Sequence, residues 1–463
     1  MAERTTAGRA TAGRATAGRL TAREAIGAVV DDSTFAELAV SERASAPDGP
    51  IGWEGYDVSH ARAQERTGER ESVVCGFGAF GGRRAVLLAF EFGFLGGSLG
   101  ERTGDRIEAA YTAAREERLP LVSLVATGGS RMQEGMRALT QLQRVAHQSA
   151  LNRAAGLPQI AVLRDPTTGG GWATLGAGAD VILALSGAQV GFAGSRVRPP
   201  DADPAAYTAE GQLTAGHIDQ VVAPQELRAS LGRWLTLLAG RPDSPPAPAP
   251  PPAAFVAAQP PETGWDAVLR ARAAGRPRAG AYLDAYFELR EPVSGDRCGG
   301  VDPGMLCGFG LREGRTVAYA AQCGTATLPA GYRTAARLIR LADRLGVPVL
   351  TLVDTPGAAN DHRAERAGAG AAIADTFAAV ATASVPVTTL VIGEGGSGGA
   401  LALAAPDHTW VTPDSYFSVI APEAAAAILK RPAGAVRDTA DQLRLRPQDL
   451  VELGMARGVV GRG

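Results

Sequence analysis

Apolar runs recur along this chain, and several of them end in a cluster of glycines. Pro120–Val125 (PLVSLV) runs into Thr127–Ser130 (TGGS), and Pro158–Leu163 (PQIAVL) into Thr168–Gly171 (TGGG). Further on, Pro348–Val353 (PVLTLV) runs into Asp354–Gly357 (DTPG), and Pro386–Val391 (PVTTLV) into Gly393–Ala400 (GEGGSGGA). Short apolar runs bounded by turn residues predict buried strands, and the Ala/Leu-rich stretches that follow predict helices. The spacing from 120 to 158 is 38 residues, as it is from 348 to 386, and the two sets are offset by 228. One unit used twice, at a period far longer than that of a solenoid, predicts two homologous α/β domains.

The rest of the pattern fits around these cores. Residues 1–23 repeat TAGRA-like units with Arg9, Arg14 and Arg19, a spacing that suits neither helix nor strand, and predict a disordered basic tail. Leu20–Val40 predicts a short helix, a turn and a second apolar stretch, and residues 41–70 a loop-rich segment. Ser72–Phe92 predicts a hairpin about Gly81 and Gly82, followed by a helix running to Arg118. After the first core, residues 204–240 predict helix. Residues 241–262 are rich in proline and alanine and predict a stiff polyproline linker. The domains expected are therefore 24–240 and 263–463. The second repeats the plan, with a helix from Trp265, a hairpin around Gly314 and a helix over Tyr332–Leu345.

Composition changes the picture mainly by exclusion. The formal net charge is −2 over 463 residues, so nothing suggests a nucleic acid partner. No apolar run reaches membrane-spanning length and no signal-peptide core follows the N-terminus, so a cytoplasmic protein without a membrane partner is the expectation. Cys75, Cys298, Cys307 and Cys323 show no metal-ligand spacing, and the five histidines form no evident constellation. There is no GxGxxG after a first strand and no GxxxxGK[ST], which argues against a nucleotide fold.

The glycine turns themselves suggest chemistry. A strand that enters a glycine turn and leaves as a helix points backbone N–H groups at one spot, and the absence of side chains lets a ligand approach the backbone. Such a turn can hold a phosphate or a developing oxyanion; tight packing of strand against helix is the alternative reading of any one of them.

Several motifs together carry a resemblance. Gly393–Ala402 (GEGGSGGALA), with DTPG upstream, Ser418–Glu423 (SVIAPE) downstream, Pro329–Arg333 (PAGYR) and Gln448–Gly454 (QDLVELG), resembles the alpha subunit of bacterial acetyl-CoA carboxylase carboxyltransferase. Phe92–Gly100 (FGFLGGSLG), Thr127–Glu134 (TGGSRMQE), Asp165–Gly170 (DPTTGG) and Gly191–Val197 (GFAGSRV) resemble its beta subunit. Leu20–Glu24 (LTARE) is similar to the start of fused acyl-CoA carboxylase carboxyltransferases. The resemblance implies two tandem crotonase-like (ClpP/crotonase) domains, each with stacked β-sheets flanked by helices, beta-like on the acyl-CoA side and alpha-like on the biotin side. It implies transfer of a carboxyl group from carboxybiotin, held on a separate carrier protein, to the α-carbon of an acyl-CoA. Biotin carboxylase and the biotin carboxyl carrier protein would come from other chains, because no AMKM-like attachment motif is present. The active site would form between protomers, so a homodimer or larger homo-oligomer is implied.

Negative charge develops on the thioester oxygen and on the ureido oxygen of biotin, so two oxyanion holes are needed. Gly128, Gly129, Gly170 and Gly171 are assigned to the first; Gly357, Ala358, Gly399 and Ala400 to the second. Substrate contacts are expected at Gly96, Gly97, Ser130, Arg131, Phe192, Ala193, Gly194 and Arg196, and biotin contacts at Thr355, Pro356, Gly395, Gly396, Ser397 and Gly398; Arg333 is a further candidate for a CoA phosphate or carboxylate. No side-chain base is required, since the biotin anion can take the α-proton once CO2 is released. The sequence departs from the family in three places. No cysteine precedes residue 70, so no zinc ribbon and no zinc are expected; the segment Ala358–Ala369 differs from AYPGxxAEERGQ; and the usual basic residue beside Gln322 is missing. Ala402 stands where propionyl-type enzymes carry Asp, which favours acetyl-CoA. The alternatives are a biotin-independent decarboxylase of a malonyl thioester and a non-catalytic carboxylase scaffold.

Overall fold

The computed structural model describes residues 19–44, 46–240, 246–255 and 259–461. The chain divides into two compact units. The first comprises residues up to Gln212 together with Gln220–Ala239, and the second Leu213–Asp219 with everything from Gly240.

In the first unit the strands are β1 (Ala36–Glu37), β2 (Val73–Phe80), β3 (Arg83–Phe90), β4 (Leu121–Thr127), β5 (Gln159–Thr168), β6 (Val181–Leu185), β7 (Val190–Gly191) and β8 (Gln220–Val222). They form one sheet in the order β1-β2-β3-β4-β5-β6-β8, with β7 paired to β5. β2 and β3 are antiparallel about the Gly81–Gly82 turn; β3 to β6 run parallel. The parallel strands read as unbroken apolar runs because helices cover both faces. Ile107, Ala110, Tyr111 and Ala114 of the helix Glu101–Glu116 bury one face against Val86, Leu88 and Val125.

The second unit repeats the plan with β9 (Leu289–Val293), β10 (Met305–Arg312), β11 (Arg315–Gln322), β12 (Val349–Thr355), β13 (Val387–Gly396), β14 (Thr409–Val411) and β15 (Tyr416–Ser418). Their order is β14-β13-β12-β11-β10-β9, with β15 paired to β13. The helix Pro329–Leu345 lies over this sheet and is the counterpart of Glu101–Glu116. β4 and β5 slip register between Val125 and Thr127, and β12 and β13 slip at the matching place between Val353 and Thr355. Past each slip the long central strand turns to a new neighbour, β7 or β15. The glycine turns sit there.

The structure differs from the sequence reading in several segments. Residues 1–18 of the expected tail lie outside the described residues, but 19–23 are ordered: Arg19 pairs with Asp165 at 2.9 Å, and Thr21 caps the helix Ala22–Val29 with Glu24 completing the box. Within 41–70 a helix runs from Tyr56 to Thr67, held by the glycine ends Gly55 and Gly68. Residues 204–240 contain β8 between two helices rather than helix throughout. The proline-rich stretch is not a bare spacer. Ala249 and Ala254 are buried with Tyr282 and Tyr286, and the Tyr286 hydroxyl donates to the Pro250 carbonyl at 2.8 Å. Polyproline backbone has free carbonyls to offer, and aromatic side chains are their usual partners.

Candidate active site

In the first unit, β4 ends in Thr127-Gly128-Gly129-Ser130, and β5 ends at the start of a short helix beginning with Gly169. The two turns touch: a Cβ on Gly169 would lie 3.0 Å from the Gly129 Cα. Gly129 has φ +109° and Gly169 φ +61°, values that L side chains rarely adopt. The second unit places its turns in the same way 228 residues on, with Gly357 at φ +140° and Ser397 at φ +58°. Ser397 is thus a non-glycine residue in the left-handed region at the centre of a turn, a local strain that is found at functional sites.

What such a site can do depends on which N–H groups remain free. Gly128 N–H donates to the Gly96 carbonyl at 2.9 Å, and Gly129 N–H to the Thr127 hydroxyl at 3.0 Å. Gly169 N–H donates to the Phe192 carbonyl at 3.0 Å. The first N–H groups of a helix have no partner within it, which leaves Gly170 and Gly171 as donors. The bridge between Leu99 and Ser130 uses the carbonyl of Gly129 and the N–H of Arg131, so the Ser130 N–H points away from it and is a third donor. Two of the four assigned donors, Gly128 and Gly129, are therefore occupied, and Ser130 joins the set.

The second unit follows the same logic. Gly357 N–H reaches the Thr355 hydroxyl at 3.1 Å, and Pro356 has no N–H to give. Thr327 and Ala358 form the bridge that matches Leu99 and Ser130, which leaves the Ala358 N–H outward. The helix Ser397–Leu401 has Gly396 as its N-cap, so Gly398 and Gly399 carry unpaired N–H groups while that of Ala400 belongs to the helix ladder. The donor expected at Ala400 thus moves back to Gly398. A Cβ on Gly399 would come within 2.4 Å of the Ala358 nitrogen, so these two parts of the turn pair lie side by side.

Three further glycines stand where a side chain would clash. A side chain on Gly97 would strike the Ala126 carbonyl at 2.1 Å, and one on Gly396 the Pro356 carbonyl at 2.1 Å. Gly395 lies against the Phe417 ring, while Gly96 accepts from Gly128. The Thr355 hydroxyl is taken up by its own turn. Ser397, Gly398 and Pro356 are exposed, and Gly398 has open space where a side chain would be. Phe192 is 71% exposed and Arg196 is exposed; Ala193 accepts from Arg198 at 3.1 Å, and Gly194 sits near Thr168.

Arg131 points inward. It is 1% exposed, with Nη2 donating to Glu71 at 2.5 Å and Nη1 to Glu134 at 3.2 Å and to the Tyr56 hydroxyl at 3.1 Å. Burial alone would raise the Glu71 carboxyl, but the Arg131 charge, His60 and the Ser72 N–H outweigh it and hold Glu71 far below the usual range. This cluster fixes the chain directly after Ser130. Arg333 is likewise engaged, with Asp296 at 2.6 Å. Sequence reasoning missed Tyr332 and Gln322, which donate to the Gly399 carbonyl at 2.9 and 3.3 Å. The signal lay in PAGYR, whose tyrosine falls on the core side of the helix. Among the described residues no group of three His, Cys, Asp or Glu side chains is placed to hold a metal ion, and no helix is long and apolar enough to cross a membrane.

Paired glycine turns at bent strand ends, carried twice in one chain, define a fold of two crotonase-like units. Known proteins agree. Residues 14–222 match the model of the carboxyl transferase domain, and residues 262–462 that of the acetyl co-enzyme A carboxylase carboxyltransferase-like family. The chain is 40% identical to the acetyl-coenzyme A carboxylase carboxyl transferase subunits beta/alpha of Salinispora arenicola, over 94% of this chain and 81% of that one. It is 34% identical to a probable biotin-dependent acyl-coenzyme A carboxylase beta3 subunit of Mycobacterium bovis, over 94% and 87%. In fold it is similar to a chain of transcarboxylase 12S, with a TM-score of 0.79 at 21% identity, covering 98% of this chain and 89% of that one. The chain belongs to the acetyl-coenzyme A carboxylase carboxyl transferase family, in the form that joins beta-like and alpha-like halves, and is a transferase.

Proposed function

We propose that this chain is the carboxyltransferase component of an acyl-CoA carboxylase, moving a carboxyl group from carboxybiotin on a separate carrier protein to the α-carbon of a short acyl-CoA. The observation that carries the reading is the matched set of unpaired N–H groups: Ser130, Gly170 and Gly171 in the first unit, Ala358, Gly398 and Gly399 in the second. Backbone donors suit a reaction in which a thioester and a urea each accumulate charge on a carbonyl oxygen. The first set would face the thioester, whose α-carbon loses a proton and gains the carboxyl. The second set fits the ureido oxygen: the exposed turn at Gly398 leaves room for the ring. Carboxybiotin, when bound, supplies the carboxyl group.

Acetyl-CoA is the favoured substrate. Ala402 is fully buried against Tyr332 and Ala372, so the place where propionyl-type enzymes carry Asp is apolar here. A second copy of the chain fits as partner, since Met132, Phe192 and Val197 beside the first turn pair and Val419, Ile428 and Met455 in the second unit are exposed apolar side chains. A biotin carboxylase and a biotinylated carrier complete the system.

The test is the reverse reaction. Purified protein is incubated with malonyl-CoA, with and without biocytin, and acyl-CoA products are separated by chromatography. Acetyl-CoA formed only with biocytin is the expected result. Equal formation without it would replace this reading by a biotin-independent decarboxylase.

A further inference from the structure

The helix that carries Gly398 and Gly399 is five residues long and stops at Leu401. The Leu403 N–H, which would serve the Gly399 carbonyl in a longer helix, turns to Ala400 at 3.2 Å instead. The Gly399 carbonyl is therefore an orphan of the helix end. Two buried side chains take it up. The Tyr332 hydroxyl donates at 2.9 Å and the Gln322 amide at 3.3 Å, from residues that are 1% and 0% exposed. The other Gln322 N–H donates to the Thr327 hydroxyl at 3.1 Å. Thr327 in turn holds the opposite turn, giving its N–H to Gly357 at 3.1 Å and accepting from Ala359 at 2.9 Å. One amide group thus ties together the two chain segments that carry Ala358 and Gly399.

The first unit lacks this arrangement. By strand register the counterpart of Gln322 is Phe90, and by helix position the counterpart of Tyr332 is Gly104, whose side-chain space is filled by Gln141. The Gly171 site is packed by Thr127 and Leu99 methyl groups instead. Apolar packing therefore suffices to build a turn pair of this kind. The second unit retains a buried glutamine whose Oε1 has no hydrogen-bond partner, at a cost that an apolar residue would avoid.

We propose that Tyr332 and Gln322 are positioning residues for carboxyl transfer, acting through the Gly399 carbonyl to fix the Ala358, Gly398 and Gly399 donors of the second unit alone. The inference rests on the carboxyltransferase reading above and assigns its two side-chain supports.

The experiment compares wild type with Tyr332→Phe and Gln322→Met, both close in volume, in the malonyl-CoA plus biocytin assay. We expect kcat to fall about 10- to 100-fold in each variant, with KM for malonyl-CoA within about twofold, as for loss of an interaction made in the transition state. Amide exchange by mass spectrometry should quicken in peptides covering 393–404 and stay unchanged over 166–176. Wild-type kcat in both variants, or a loss of activity that only tracks a lowered melting temperature with exchange raised throughout the chain, overturns the inference. If wild type makes acetyl-CoA without biocytin, the parent reading fails and this one with it. If wild type needs biocytin and both variants match it, only this one fails.

Discussion

Replacing Gly399 by alanine separates packing from catalysis better than any other single change, provided Gly398→Ala is made beside it. The two glycines are neighbours on one helix and both carry unpaired N–H groups, yet their surroundings are opposite. A methyl at 399 would lie 2.4 Å from the Ala358 nitrogen, 2.7 Å from the Tyr332 hydroxyl and 3.0 Å from the Gly357 carbonyl carbon. Two of these are backbone atoms and cannot rotate away, so the Gly357–Ala358 turn must shift. A methyl at 398 meets nothing within 4 Å. Overpacking at 399 should cost about 1–3 kcal/mol of stability. The 398 change should be neutral or stabilising by up to ~1 kcal/mol, the helix propensity difference between glycine and alanine. For catalysis, displacing one preorganised donor costs about 2.7–4 kcal/mol, or some 10²–10³ in kcat. The assay is acetyl-CoA formation from malonyl-CoA with biocytin, run well below the melting temperature of each variant and corrected for folded fraction by circular dichroism. Gly399→Ala is expected to lose 10²–10³ in kcat per folded molecule. Retention of wild-type kcat by a folded Gly399→Ala protein would refute the assignment of Ala358 and Gly399 as donors.

Four further outcomes follow from the structure. Arg131→Met leaves Glu71 and Glu134 buried without their cation and should destabilise by about 3–5 kcal/mol in chemical unfolding, whereas a ligand-contact role would leave stability unchanged and raise KM. The Glu71 carboxyl is depressed in the folded state, so its contribution is complete above the unfolded carboxylate value of about 4.3 and is lost as pH falls below it; stability of the wild type should decline with acid from about pH 5 downward, and Glu71→Gln should flatten that slope. Burial pushes the Cys323 thiol up to about 11 and those of Cys75 and Cys307 up to about 12, so iodoacetamide at pH 8 should label exposed Cys298 first by peptide mapping, with activity retained until the others react. Gly170→Ala would drive a methyl to 2.4 Å from the Leu142 side chain, a flexible neighbour; its melting temperature should fall less than that of Gly97→Ala, which strikes the Ala126 carbonyl at 2.1 Å.

Much of this architecture was legible because it rests on local rules. Each parallel strand is buried on both faces and so is written as an unbroken apolar run, and three of the four turns hold glycine at a left-handed position, Gly129, Gly169 and Gly357, so strand ends were marked twice over. The repeat made the reading firmer still, since Gly129 and Gly357, or Gly170 and Gly398, hold the same backbone place 228 residues apart. Carried from Gly170 and Gly171, that offset points to Gly398 and Gly399, whereas carried from Gly128 and Gly129 it points to Pro356 and Gly357, which have no free N–H to give. What was not legible depends on partners distant in sequence. Nothing local in GGSRM says that Arg131 turns inward to Glu71, 60 residues earlier, rather than outward to a phosphate. Nor does a proline-rich stretch announce that Tyr282 and Tyr286 wait to cover it. The same limit hid Tyr332 and Gln322. A backbone carbonyl at the end of a one-turn helix leaves no trace in the sequence, but it has to be satisfied, and the residues that satisfy it then govern where the neighbouring N–H groups point. In an enzyme whose donors are backbone amides, side chains therefore act by holding peptide groups in place. Residues of that kind are found by asking where each carbonyl near the donors finds its hydrogen bond.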